Sequence, residues 1–246
     1  MRIMVAPQKV GVGLATNFAT IRNHRPLVAG LTEMDLGERT FIPQMRQALG
    51  PSYTVVSDDV GVHSEEIPVA VRTGPLSKVV SSEVLQISPN IGTKGIGNDR
   101  YLAVVRFVHR GRTYTVMHSH TNAVIQNLHT KEMFDNARVK ATAKAMKTIE
   151  ERAQEELADP NVTALWIMGD FNYLPVGDPD LEWTHSPPAM FDRLGMTWRN
   201  TRVIYLAWSQ GVRRRGEVAV LPPHTALNAS DHGWLSGDFR LTPTQT

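Results

Sequence analysis

Residues 162–172 read VTALWIMGDFN, and the order of residue types in that stretch decides the chain's architecture. The run 162–168 is apolar, rich in β-branched and aromatic residues and short for a helix, so it predicts a buried strand. Gly169-Asp170-Phe171-Asn172 follows at its C-terminal end. In an extended segment Asp170 and Asn172 share a face, so a carboxylate and an amide can address one ligand. Strand-end loops are where a rigid scaffold presents polar groups to a cleft. The plain alternative is that both residues only cap a turn.

Working outward, residues 203–208, 218–221 and 234–241 predict further strands, with Ser230-Asp231-His232 just before the last. On the N-terminal side, 131–157 predicts a helix: Met133, Ala137, Ala141, Ala145, Ile149, Ala153 and Leu157 recur at three- and four-residue spacing, and Asp159-Pro160 ends it. Strands are also predicted at 10–15, 27–31, 53–57, 69–72, 79–87, 101–108 and 113–118, the last two around an Arg110-Gly111-Arg112 hairpin turn. A helix is predicted over 38–49, ending at Gly50-Pro51, and a glycine-rich loop over 88–100. Strands mixed with sparse helices, without regular βαβ alternation, predict an α+β fold: two packed, mainly antiparallel sheets with outer helices, a four-layer α/β/β/α sandwich.

The 246 residues carry no repeat, linker or low-complexity block, so residues 1–246 are expected to form a single domain. Hydrophobic residues at 41% and charged residues at 20% suit an ordinary globular core and surface. A net charge of +2 permits a phosphate-bearing partner without requiring one. Cysteine is absent, which excludes disulfides, thiolate zinc sites and a cysteine nucleophile. The first twelve residues lack a signal-like apolar core and no stretch has membrane-spanning length, so a cytoplasmic protein without a membrane partner is expected.

Five short motifs fall in one order. Gly169 to Asn172 resembles the G-D-F-N signature of the endonuclease/exonuclease/phosphatase superfamily, the deoxyribonuclease I-like phosphoesterases, and Ser230-Asp231-His232 resembles its S-D-H signature. Thr16-Asn17 resembles the T-x-N or Y-N segment of the family's first strand, and Leu31-Thr32-Glu33 the L-Q-E segment. Residues 114–123, YTVMHSHTNA, are similar to the V-V-N-T-H-L-x-A strand. Each motif alone is common by chance; their order is what carries weight.

The resemblance implies a deoxyribonuclease I-like sandwich and a Mg²⁺- or Mn²⁺-dependent phosphoesterase. A nuclease acting on nucleic acid is the first expectation, and a phosphatase of a small phosphorylated molecule or a catalytically weakened binding relative are the alternatives. Glu33 would hold the metal, with Asn17 and Asp231 completing its shell. Asp170 would position or activate water, Asn172 would hold a phosphate oxygen, and His232 would contact the phosphate or move a proton. His120 best matches the histidine of the T-H-L element, and His118 fits the H-S segment of deoxyribonuclease I-like members almost as well, so both are candidates. Three positions depart from the pattern: Ile204 stands where the family has an Asp that orients the S-D-H histidine, Thr32 replaces Gln, and no aromatic precedes Asn17. His118-x-His120-x-Asn122 also resembles the zinc motif of metallo-β-lactamase-like hydrolases, but Asn122-Ala123 stands where that family has Asp-His.

Lys94 and Arg100, in the loop entering strand 101–108, are expected on the active-site rim as substrate contacts, because an up-and-down hairpin returns the chain to the end where it began. Arg22 and Arg25 are further rim candidates. Arg213-Arg214-Arg215 is expected in a solvated turn away from the site.

Overall fold

The computed structural model describes residues 1–8, 13–34, 40–58, 60, 64–89, 99–123, 125–127, 130–176, 182–225, 228 and 232–241. Lys94, Ser230 and Asp231 lie outside the described residues. The chain opens with strand β1 (Arg2–Val5), helix α1 (Leu14–His24), β2 (Val28–Gly30), α2 (Ile42–Leu49), β3 (Tyr53–Val56) and β4 (Val69–Arg72). Next come β5 (Ser77–Ser88), β6 (Arg100–His109), β7 (Arg112–His120), α3 (Ala137–Ala158) and β8 (Val162–Asp170). The last elements are α4 (Pro187–Arg193), β9 (Thr197–Thr201), β10 (Ile204–Trp208), β11 (Val212–Leu221) and β12 (Trp234–Leu241).

The strands form two six-stranded sheets, ordered β11-β12-β1-β2-β4-β3 and β5-β6-β7-β8-β10-β9. Both are mixed: β1 runs parallel to β2 and β7 parallel to β8, within otherwise antiparallel ladders. The expected four-layer sandwich is what the packing shows. Ile3, Val28, Val105, Val116, Trp166, Leu206 and Phe239 meet between the sheets. α3 and α4 cover the outside of the second sheet through Ala145, Ile149, Ala153, Met190 and Phe191. α1 and α2 cover the first through Phe18, Ile21, Met45 and Leu49.

β8 shows why its sequence lacks polar alternation. Ala164, Trp166 and Met168 face the inter-sheet core, while Leu165 and Ile167 face the helices. A strand buried on both faces reads as one apolar run. Its neighbour α3 begins at Ala137, later than the apolar spacing predicts, because the Asn136 side chain caps it by accepting the Val139 N–H at 3.0 Å.

Three expectations are corrected. The strand predicted at 10–15 is not formed where the chain is described there: residues from Leu14 belong to α1, and the first strand is Arg2–Val5. Arg213, Arg214 and Arg215 lie within β11, paired to Arg240, Phe239 and Asp238, because the ladder continues past Val212 and absorbs the glycine at 216 as a bulge. β9 and α4, which follow Ser186 as a side-chain N-cap, were not predicted.

Candidate active site

The site is built where the strands end. In the parallel β7·β8 pair, His118 lies beside Met168 and His120 beside Asp170; across β8, Ile204 lies opposite Asp170. Met168 and Ile204 point into the inter-sheet core. The two-residue period of a strand therefore puts His118, His120 and Asp170 on the same inner face. Gly169 permits this approach: its φ is 153°, and a Cβ there would sit 1.9 Å from the Ser119 carbonyl oxygen.

Asp170 is buried and its two oxygens have separate tasks. Oδ1 accepts the Asn172 backbone N–H at 2.9 Å, while Oδ2 lies 3.8 Å from His232 Nε2. That second distance is beyond a hydrogen bond but within ion-pair reach. Asn172 adopts φ 50°, a left-handed conformation that Asn tolerates better than most residues. Its side-chain amide has two N–H donors, and the Thr121 carbonyl takes one at 2.9 Å. His232, 27% exposed by its side chain, is held just before β12 by Asn228, which donates to its carbonyl at 2.8 Å.

A second acid–imidazole pair was not foreseen. His120 Nδ1 lies 2.5 Å from Glu66 Oε1, and Arg100 Nη1 donates to both Glu66 oxygens at 2.8 Å. Arg100 Nη1 is also 3.2 Å from His120 Nδ1. Two donors face each other there, so the carboxylate between them is the shared acceptor. Burial works against the charged form of Glu66, but His120 and Arg100 outweigh it and hold its carboxyl below the usual range. Burial likewise pulls His120 down, and Glu66 outweighs that together with the repulsion from Arg100, so the imidazole is raised. Glu65-Glu66 directly precedes a predicted strand, the one sequence signal that could have found this partner.

Arg100 thus lies at the site beside His120, as expected, but with its guanidinium turned to Glu66. It is buried and engaged by Glu66, from the turn Ser64–Glu66 that precedes β4.

His118 serves a different purpose from His120. It is fully buried, with Nε2 2.7 Å from the Leu31 carbonyl and Nδ1 3.2 Å from the Met168 carbonyl. Burial pushes its pKa down to about 4. With both ring nitrogens against backbone oxygens it joins the two sheets, and it does not converge with His120 on a shared zinc. The sheets come so close here that a Cβ on Gly30 would lie 2.5 Å from the Met168 methyl and 2.8 Å from His118 Nδ1.

That junction positions Glu33. Leu31, held by His118, and Met34, whose N–H donates to the Glu66 carbonyl at 3.3 Å, flank it at the end of β2. Glu33 itself has φ 60°, a conformation costly for a residue without a short polar side chain. Beside it, the buried Thr32 hydroxyl has no hydrogen-bond partner.

Asn17 is corrected from strand to helix. It lies buried in α1 and donates to Gln8 Oε1 at 2.6 Å. Gln8 is the amide that follows the first strand, with its N–H on the Thr32 carbonyl at 3.2 Å and the Trp234 indole donating to the Pro7 carbonyl at 3.0 Å. The structure thus brings Gln8 to the strand-end segment that leads to Glu33, with Asn17 in contact with Gln8.

No three His, Asp or Glu side chains among the described residues are close enough to form a metal cluster. The donors at the ends of β1 and β2 are nonetheless oxygens, the Glu33 carboxylate, the Gln8 amide and the orphaned Thr32 hydroxyl, which is chemistry that suits Mg²⁺ or Mn²⁺. Asp170, His120 and His232 are gathered from the second sheet and the start of β12; Lys94 and Asp231 fall outside the described residues.

No protein-family model and no curated protein matches the sequence. Solved structures do match the fold. An endonuclease/exonuclease/phosphatase family protein from Bacteroides thetaiotaomicron superposes with a TM-score of 0.68 at 14% identity, covering 99% of this chain and 96% of that one. A mannosyl-6-phosphatase from the same organism gives 0.66 at 13%, covering 97% and 100%. TDP2 from D. rerio, complexed with single-strand DNA product, gives 0.62 at 15%, covering 97% and 99%. The chain has the endonuclease/exonuclease/phosphatase fold.

Proposed function

We propose that this protein is a divalent-metal-dependent phosphoesterase that hydrolyses phosphodiester bonds in nucleic acid by attack of water. The carrying observation is Asp170, its Oδ1 fixed by the Asn172 N–H and its Oδ2 turned to His232, on the same sheet end as the Glu66-paired His120. A carboxylate fixed through one oxygen can orient a water and take its proton. His120, kept protonated over a wider pH range by Glu66, offsets charge growing on the phosphoryl oxygens, and the remaining Asn172 N–H offers a neutral donor to one of them. His232, beside Asp170, is suited to pass a proton to or from the reacting oxygens. Glu33, Asp231 and the Gln8 amide would hold Mg²⁺ or Mn²⁺, which supplies further charge neutralisation. Asn17 acts through Gln8 as a positioning residue.

A small phosphorylated substrate is the second reading. The likeness to a mannosyl-6-phosphatase, with a TM-score of 0.66 against 0.62 for the DNA-bound protein, favours it. Purified protein with Mg²⁺ is to be offered a single-stranded oligonucleotide and, separately, sugar and nucleotide monophosphates. Cleavage of the oligonucleotide is expected. Phosphate release from the monoesters alone would transfer the assignment to the second reading.

A further inference from the structure

The β6–β7 turn marks the pole of the sandwich opposite the active site. His109 is nine residues along β6 from Arg100, about 30 Å at the usual strand rise. A cleft of about 620 Å³ opens there, lined by seven arginines and one carboxylate. The carboxylate, Asp238, is already gripped by Arg2 through both oxygens at 3.1 and 2.8 Å. Arg215 lies opposite the same Asp238 in the β11·β12 ladder, while Arg25, Arg72, Arg110, Arg112 and Arg240 make no salt bridge among the described residues.

Composition does not account for this cluster. The chain holds 26 basic and 24 acidic side chains, near balance, yet seven arginines and a single carboxylate line one cleft. Apart from Arg2, the arginines come from separate segments: the C-cap of α1, the end of β4, the β6–β7 turn, β11 and β12. Their field reaches His109, whose imidazole is pulled down by burial first and then by Arg110, the amino terminus and Arg72. Like charges gathered in this way destabilise the unliganded fold. Guanidinium is also the side chain that grips phosphate oxygens through two parallel N–H bonds.

We infer that this polar cleft is an anion site for a compact ligand carrying two or more phosphates, separate from the hydrolytic centre. A cleft lined from five segments, with Leu27, Tyr114 and Phe239 among its walls, suits a small polyanion; an extended strand of nucleic acid calls for a stripe of cations. The site does not depend on the proposed activity.

The probe is inorganic tripolyphosphate, titrated calorimetrically in EDTA so that metal-assisted binding elsewhere is silent. One binding event is expected, weakened about tenfold or more in Arg110→Gln/Arg112→Gln and unchanged in Asp170→Ala, since a charged hydrogen bond is worth about that factor. Without ligand, the double variant is expected to melt higher than wild type, because repulsion is relieved. A merely structural role for these arginines would lower the melting temperature instead. Absence of tripolyphosphate binding, or binding indifferent to the double variant, overturns the inference. So does a single-stranded oligonucleotide that binds the pole more tightly as its length grows while tripolyphosphate fails to compete.

Discussion

Ile204 lies opposite Asp170 in the β8·β10 ladder and is fully buried in the inter-sheet core. The family resemblance sets an orienting carboxylate at this position; among the described residues Asp170 places an acid 3.8 Å from the His232 imidazole. An Ile204→Asp protein would bury a second carboxylate beside the first without a partner. We predict a stability loss of about 3–5 kcal/mol, measured by urea unfolding, and no gain in turnover. A folded variant with raised kcat would mean that His232 lacks an orienter. The Glu66–His120 pair makes a pH prediction. Glu66 is lowered in the fold, so its contribution is present above the unfolded carboxyl pKa and is lost as pH falls through the folded value. His120 is raised, so its contribution is full below the unfolded imidazole pKa and is lost as pH rises through the folded value. The stability gap between wild type and Glu66→Gln is therefore widest between about pH 4.3 and 6.5 and narrows on either side. Unfolding curves across that range check it; a gap independent of pH would remove the charged pair.

At the level of elements, the close approach of β7 and β8 rests on Gly169. Gly169→Ala drives a Cβ into the Ser119 carbonyl. The expected cost is about 3 kcal/mol, with His120 and Asp170 displaced from register and turnover falling accordingly. Thermal unfolding and kcat measured together check this, and a variant as stable as wild type would contradict the contact. The elements that were legible in sequence are those with a strong period or both faces buried: β8, β10, β12 and most of α3. β1 was missed because four residues are too few to show a period, and the apolar letters at 10–15 compete with it. That miss also placed Asn17 on a strand, where the structure has it in α1 with Gln8 as its partner. Glu66 escaped for another reason: its partner is 54 residues away, and only the packing of one sheet on the other brings them together.

The whole molecule works as a clamp between two sheets, with His118 bridging them near one end and an arginine-lined cleft at the other. The sandwich itself was readable from the order of five short motifs and the sparse helices. The contacts between sheets were not, because no local pattern encodes them. Oxygen donors at the ends of β1 and β2 predict that Mg²⁺ raises the melting temperature in proportion to the logarithm of its concentration once above Kd, and that Glu33→Gln abolishes the rise. A scanning calorimetry series with both proteins checks this; an equal rise in the variant would move the ion elsewhere. The central claim, hydrolysis directed by Asp170, is tested most directly by the turnover number of wild type and Asp170→Ala on one phosphoester substrate with Mg²⁺ present. A fall of about 10²–10⁴-fold with the fold intact is predicted. Equal turnover in the two proteins would contradict it.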